Sequence, residues 1–237
     1  IRSLTDERIG AILSQTPTPT PIIFPPTPTP IPPELLNTPT PQPTATPQPT
    51  PTPQPTATPG AVVDFNAIWS QFVSSVFWIE TYSGLGTGWL LEPGWIVTNH
   101  HVVGYQTSVT IRQMGDPAFT GTVVGYDSIG DIALIRYSTD PNPGSGYAIP
   151  LDPVATGSLT VTDTGIPLMA MGYSGNIGIQ PNGTVGAVPI NIGSMVGTLY
   201  NSETGVTEIV MDAPVDPGDS GGSVLNGRGK VVGMVRA

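Results

Sequence analysis

The segment "PGDSGGSVLN", Pro217 to Asn226, sets Ser220 among three glycines and beside the acid Asp219. Glycine reaches positive φ without steric cost, so such a loop serves either as a plain turn or as a cradle whose N–H groups point inward to hold an oxyanion. The second use requires a base for the serine and a group that orients the base. The chain's two histidines, His100 and His101, are adjacent in "GWIVTNHHVVG", and Asp131 opens "DIALIRY" thirty residues after His101. Ser220 follows 89 residues later. An imidazole that removes the hydroxyl proton, a carboxylate that orients it and a serine that attacks a carbonyl together make acyl-transfer chemistry. Each residue alone also has a plainer reading: the histidines as strand-end polar groups, Asp131 as a turn acid, Ser220 as a turn serine.

These residues must be held by the part of the chain that can build a core. Of the 29 prolines, eighteen fall between Pro17 and Pro59, in a Thr-Pro-Gln tract running from Thr16 to Gly60. Proline fixes φ and biases its predecessor to extended conformations, so the tract reads as polyproline II, a stalk of up to about 130 Å, or as a tether with no spacing role. Before it, "LTDERIGAILSQ" has the apolar spacing of a short helix within residues 1–15, with Ser3 and Asp6 placed for a capping box.

Residues 61–237 form the domain. Asp64 is placed to cap a helix with Phe65, Ile68, Trp69, Phe72 and Val73 on one face. Then come short β-type runs divided by Gly, Pro, Asn and Asp: "SVFWIET", "GTGWLLE", "GWIVTNH", "SVTIRQM", "FTGTVVGYD", "DIALIRY", "LTVTD", "IPLMAMGY", "GTVGAVP", "SMVGTLY", "EIVMDAP", "SVLNG" and "KVVGMVRA". Turn signals every 8 to 15 residues predict an all-β sandwich or pair of barrels, with the histidines at the end of a strand.

Composition narrows the chemistry. The chain carries 17 acids against 7 bases, and its net charge of −10 argues against a nucleic-acid partner. It has no cysteine and only two histidines, which excludes thiolate metal sites and disfavours a multi-His one. Serine acyl transfer requires neither metal nor organic cofactor. No apolar run reaches 18 residues, and Ile1 has the look of a residue inside a longer chain, so a membrane or cell-wall tether is expected outside these residues.

Three segments carry a resemblance: "GTGWLLEPGWIVTNHHVV", "GYDSIGDIALIRY" and "MDAPVDPGDSGGSVLNGRGKVVGM". Their order and surroundings resemble the trypsin-like, or chymotrypsin-fold, serine proteases, and more narrowly the HtrA/Deg branch of bacterial proteases. The resemblance implies an all-β fold of two six-stranded antiparallel barrels over 61–237 and a serine endopeptidase acting on polypeptides outside the cytoplasm. It implies Ser220 as nucleophile, Asp131 as the orienting acid, and the backbone N–H groups of Gly218 and Ser220 as the oxyanion hole. His101 matches the family's base, because that histidine follows Thr-Asn-x and precedes Val; His100 takes the variable position.

The chain also departs from the family. Asp219 stands where the HtrA/Deg branch commonly has Asn; buried, it needs a partner or is costly. Pro214, six residues before Ser220, matches the floor of the specificity pocket and supplies no charge, which points to small or hydrophobic side chains before the cleaved bond. Ala237 falls before the family's last strand, so the second barrel is expected to be truncated, with an unpaired edge. A competing reading is a non-catalytic protease-fold module that grips extended peptides by strand addition.

Overall fold

The computed structural model describes residues 2–3, 62–139, 159–175, 179–202 and 204–237. The linker at 16–60 and the helix expected within 4–15 lie outside the described residues. Of the described residues, 2–3 and those from 63 onward belong to one compact unit.

Helix α1, Phe65–Phe72, begins where Asp64 accepts a hydrogen bond from the Ala67 N–H at 3.0 Å. It buries Phe65 and Phe72, one turn apart twice over, against the core. Six strands then close a first antiparallel barrel: β2 (Val76–Thr81), β3 (Gly84–Glu92), β4 (Trp95–Thr98), β5 (Ser108–Arg112), β6 (Phe119–Asp127) and β7 (Ile132–Tyr137), in the order β2-β3-β4-β7-β6-β5. The second sheet holds β8 (Pro167–Met171), β9 (Ile190–Asn201), β10 (Val206–Met211), β11 (Ser223–Asn226) and β12 (Val231–Met234), in the order β10-β9-β8-β11-β12. These five strands by themselves form a curled half-barrel, open between β10 and β12. The two-residue strand β1, Arg2–Ser3, pairs antiparallel with both β10 and β12 and bridges the edges that the sequence reading left open.

Three apolar clusters follow from strand alternation. In β7, Ala133 and Ile135 point into the first barrel with Phe77, Leu90, Ile96 and Ile111. Ile132 and Leu134 point the other way, into a cluster that also takes Trp89, Met169, Met171, Tyr173 and Leu225 from both sheets. Leu168, Ala170, Met195, Ile209, Val224 and Val232 fill the second sheet's concave side. Strands buried on both faces read as unbroken apolar runs such as "IALI", and for this reason the sequence alone does not say which face is which.

Two expected strands are absent. In "LTVTD" the Asp163 carboxylate accepts from the Thr160 N–H at 2.7 Å, and Val161–Asp163 forms a 3-10 turn. In "GTVGAVP" only Val185 pairs, in an isolated bridge to Met114, because Gly183, Gly186 and Pro189 interrupt the ladder.

Candidate active site

The cleft is built from both sheets. After β4, Asn99 starts a single-turn helix α2, His100–Val103, so the histidines sit on a helical turn and not at a strand end. Successive side chains on a helix diverge by about 100°, which sends the two imidazoles to different surroundings. His100 stacks on Tyr126 with ring centroids 4.4 Å apart and meets Tyr105 edge-on at 5.5 Å. His101 turns to Asp131: its N–H donates to Oδ1 at 2.9 Å, and its Nδ1 lies 2.8 Å from Oδ2.

Asp131 is buried and has φ of 57°, in the left-handed region that Asp tolerates better than most residues. The backbone there is held by buried Asn99, whose Nδ2 donates to the Asp131 carbonyl at 2.9 Å. The strain aims the carboxylate at α2 instead of along β7. A guanidinium also reaches it: Arg236 Nε is 3.5 Å from Oδ2, while Arg236 Nη1 is 3.3 Å from Glu208 Oε1.

Ser220 is 5% exposed and comes from the loop before β11. Its hydroxyl donates to the Ala237 carbonyl and accepts from the Ala237 N–H, both at 3.0 Å. His101 and Ser220 line one cavity of about 210 Å³ with Leu85, Pro217 and Gly218. Pro214 is exposed and is not part of that lining.

The loop's peptide planes are fixed one by one. The Pro217 carbonyl accepts from Gly175 N–H at 2.7 Å, and the Asp219 carbonyl accepts from Gly222 N–H at 2.8 Å. A trans peptide points its N–H opposite its carbonyl, so the Gly218 and Ser220 N–H groups face the other way, and neither has an acceptor among the described residues. Gly218 has φ of 106°, and a Cβ there would lie 2.6 Å from both Gly175 N and the Tyr173 carbonyl oxygen. Only glycine fits.

Asp219 is fully buried. Its Oδ2 accepts from the Asp216 N–H at 2.9 Å, while Oδ1 has no hydrogen-bond partner among the described residues. Burial pushes its carboxyl above the ordinary range; the Asp216 N–H opposes this and the nearby Asp216 charge adds to it. An acid with a raised folded-state pKa is no burden below its unfolded pKa and costs stability as pH rises through the folded value. Asp219→Asn is therefore expected to match the unaltered protein near pH 3, below the ordinary carboxylate pKa of about 4, and to melt at a higher temperature than it as the pH rises above that value toward neutrality. Thermal denaturation across that range checks it; an offset independent of pH sinks the idea.

A model of the trypsin-like peptidase domain matches residues 86–234, which is more than half of the chain. The chain belongs to the trypsin-like peptidases. Among relatives of this peptidase domain, the putative serine protease HhoA of Synechocystis is 32% identical over 154 residues, covering 64% of this chain and 36% of that protein. The Do-like serine protease HtrA of Bacillus subtilis is 29% identical over 160 residues, covering 65% of this chain and 34% of that protein. The chain thus spans about a third of the length of these relatives. Among solved structures, the inactive form of the Rv3671c protease, a serine protease of Mycobacterium tuberculosis, superimposes with a TM-score of 0.56 at 26% identity, covering 77% of this chain and 87% of that one.

Three residues that hold this candidate site together were not assigned from sequence: Asn99, Arg236 and Thr87, whose buried hydroxyl donates to the Gly218 carbonyl at 2.8 Å. The signal for Thr87 was present, as a lone hydroxyl in the apolar run "GTGWLL". Arg236 carried no such signal, because its proximity to Asp131 arises only when the two barrels meet.

Proposed function

We propose that this domain is a serine endopeptidase that hydrolyses polypeptides through an acyl-enzyme, with His101 as base, Asp131 as its orienting acid and Ser220 as nucleophile. The observation that carries the reading is the shared cavity: His101, already paired with a buried carboxylate through Nδ1, opens into the same space as Ser220. With Nδ1–H donated to Asp131, the lone pair sits on Nε2 and is available to that space.

In the proposed reaction the Ser220 hydroxyl leaves Ala237 and turns to His101. His101 takes its proton as Oγ attacks the peptide carbonyl, and the unpartnered Gly218 and Ser220 N–H groups receive the developing oxyanion, each donor lowering the barrier by about 3–4 kcal/mol. His101 then passes the proton to the leaving amine, and water repeats the attack on the ester. Oδ2 of Asp131 stabilises the imidazolium throughout. Pro214 is kept as a candidate floor of the specificity pocket, favouring small or apolar residues before the scissile bond. An extracytoplasmic site of action is supported by a relative from Haemophilus influenzae named as a probable periplasmic serine protease, 29% identical over 158 residues.

A fluorophosphonate probe tests the nucleophile. The expected result is a single adduct, located on Ser220 by peptide mass spectrometry. A folded protein that takes up no probe, yet binds extended peptides, would overturn the enzymatic reading in favour of a peptide-gripping module.

A further inference from the structure

The four consecutive carbonyls from Pro217 to Ser220 are each held by one donor. Two of those donors lie within the second barrel's own loops, as described above. The other two belong to a single residue of the first barrel. Thr87, fully buried in β3, donates its N–H to the Ser220 carbonyl at 2.7 Å and its hydroxyl to the Gly218 carbonyl at 2.8 Å. The same hydroxyl accepts from the Tyr173 N–H at 2.8 Å, and the Thr87 carbonyl accepts from the buried Thr98 hydroxyl at 2.6 Å. All of the hydroxyl's hydrogen-bonding directions used here run to backbone groups of the second barrel.

We infer that Thr87 is a positioning residue for the oxyanion hole: it locks the nucleophile loop across the barrel boundary so that the Gly218 and Ser220 N–H groups converge. The inference rests on the serine-protease reading of the same site. Gly218, at φ of 106°, has no side chain to restrain its rotation, and its carbonyl leads directly into the Gly218–Asp219 peptide. Without the Thr87 hydroxyl, that carbonyl and the Tyr173 N–H are left buried and unpaired, at a cost that rotation of Gly218 relieves. Rotation of the Gly218–Asp219 plane strains the two planes on either side of it, Pro217–Gly218 and Asp219–Ser220, each held by a single backbone donor, and so displaces the Gly218 and Ser220 N–H groups that they carry. Oxyanion stabilisation depends on donors placed to within a few tenths of an ångström, and misplacement by about 1 Å costs about 100-fold in rate. A hydroxyl that only satisfied the core would affect folding stability and leave the chemistry untouched.

The experiment compares the full-length protein with Thr87→Val, which keeps the shape and removes the hydroxyl, and Thr87→Ser, which restores it. The readouts are the second-order rate of fluorophosphonate labelling at Ser220 and the separate kcat and KM for a peptide substrate. Thr87→Val is expected to label about 10- to 100-fold more slowly and to lose a similar factor in kcat with KM little changed. Thr87→Ser should label within about threefold of the unaltered protein, since both of its hydrogen bonds are kept. Thr87→Cys, small and only a weak donor, reports the same loss should the valine variant not fold. Labelling of the valine or cysteine variant at the unaltered rate overturns the role of Thr87 and leaves the nucleophile assignment standing. Absence of labelling in the unaltered protein overturns that assignment, and the inference with it.

Discussion

Replacing His101 by alanine is expected to cut hydrolysis of a denatured protein substrate by about a millionfold, to the level reached by Ser220→Ala, and the double variant should be no worse. On the proposed assignment base and nucleophile act as one unit: without the imidazole the hydroxyl keeps its proton, and without the hydroxyl the imidazole has nothing to activate. The informative control is the neighbour. His100→Ala removes a ring stacked 4.4 Å from Tyr126 and edge-on to Tyr105, outside the contact with Asp131. Its expected cost is about 1 kcal/mol of stability with catalysis within a few-fold of the unaltered enzyme. Steady-state kinetics on both variants decide the matter. An active His101→Ala together with an inactive His100→Ala would reverse the assignment.

Asp131→Asn carries the second-largest expected effect, and its direction follows from two contacts. Asp131 Oδ1 receives the His101 backbone N–H, which can only donate, at 2.9 Å. An asparagine must therefore place its carbonyl oxygen there and its NH2 against Nδ1, where Oδ2 now lies 2.8 Å away. Nδ1 would have to accept, the proton would move to Nε2, and the nitrogen facing the cavity would no longer be basic. A loss of about 10⁴-fold in kcat is expected, as for the corresponding wrong-tautomer substitution in other serine proteases. The fold should survive, because asparagine tolerates the left-handed φ of 57° as well as aspartate does. A melting temperature near that of the unaltered protein, with kcat reduced, fits this account; an unchanged kcat contradicts it. Arg236, 3.5 Å from the same oxygen, loses one of its two anionic partners in this variant and keeps Glu208, so an Arg236→Gln background separates that contribution from the tautomer effect.

Short apolar runs between turn residues were enough to place most strands, and β6 matches the run "FTGTVVGYD" from end to end. The misplaced runs share a cause. "LTVTD" and "GTVGAVP" are β-like by composition, but a local carboxylate bond in one and glycines with a proline in the other outcompete ladder pairing. The helical turn at His100–Val103 was hidden by the β-branched valines, whose strand preference is overridden once Val102 and Val103 are buried among the first barrel's side chains. The half-barrel's edges were expected to stand open; the pairing of Arg2–Ser3 with β10 and β12 joins residues more than 200 positions apart, which no local pattern reveals.

The sequence by itself determined the class of fold, the family and the residues on which the chemistry is proposed to rest. Strand punctuation and a glycine-flanked serine are local properties, and local properties survive in a one-dimensional string. Tertiary structure alone decided that the Ser220 hydroxyl engages Ala237, that Asp219 is buried with one oxygen unpartnered among the described residues, and that Thr87 reaches across the barrels to two carbonyls of the nucleophile loop. Those outcomes depend on distances of about 3 Å between residues up to 131 positions apart. Such distances are fixed by how two curved sheets pack their side chains, and packing is a property of the whole core and not of any segment within it.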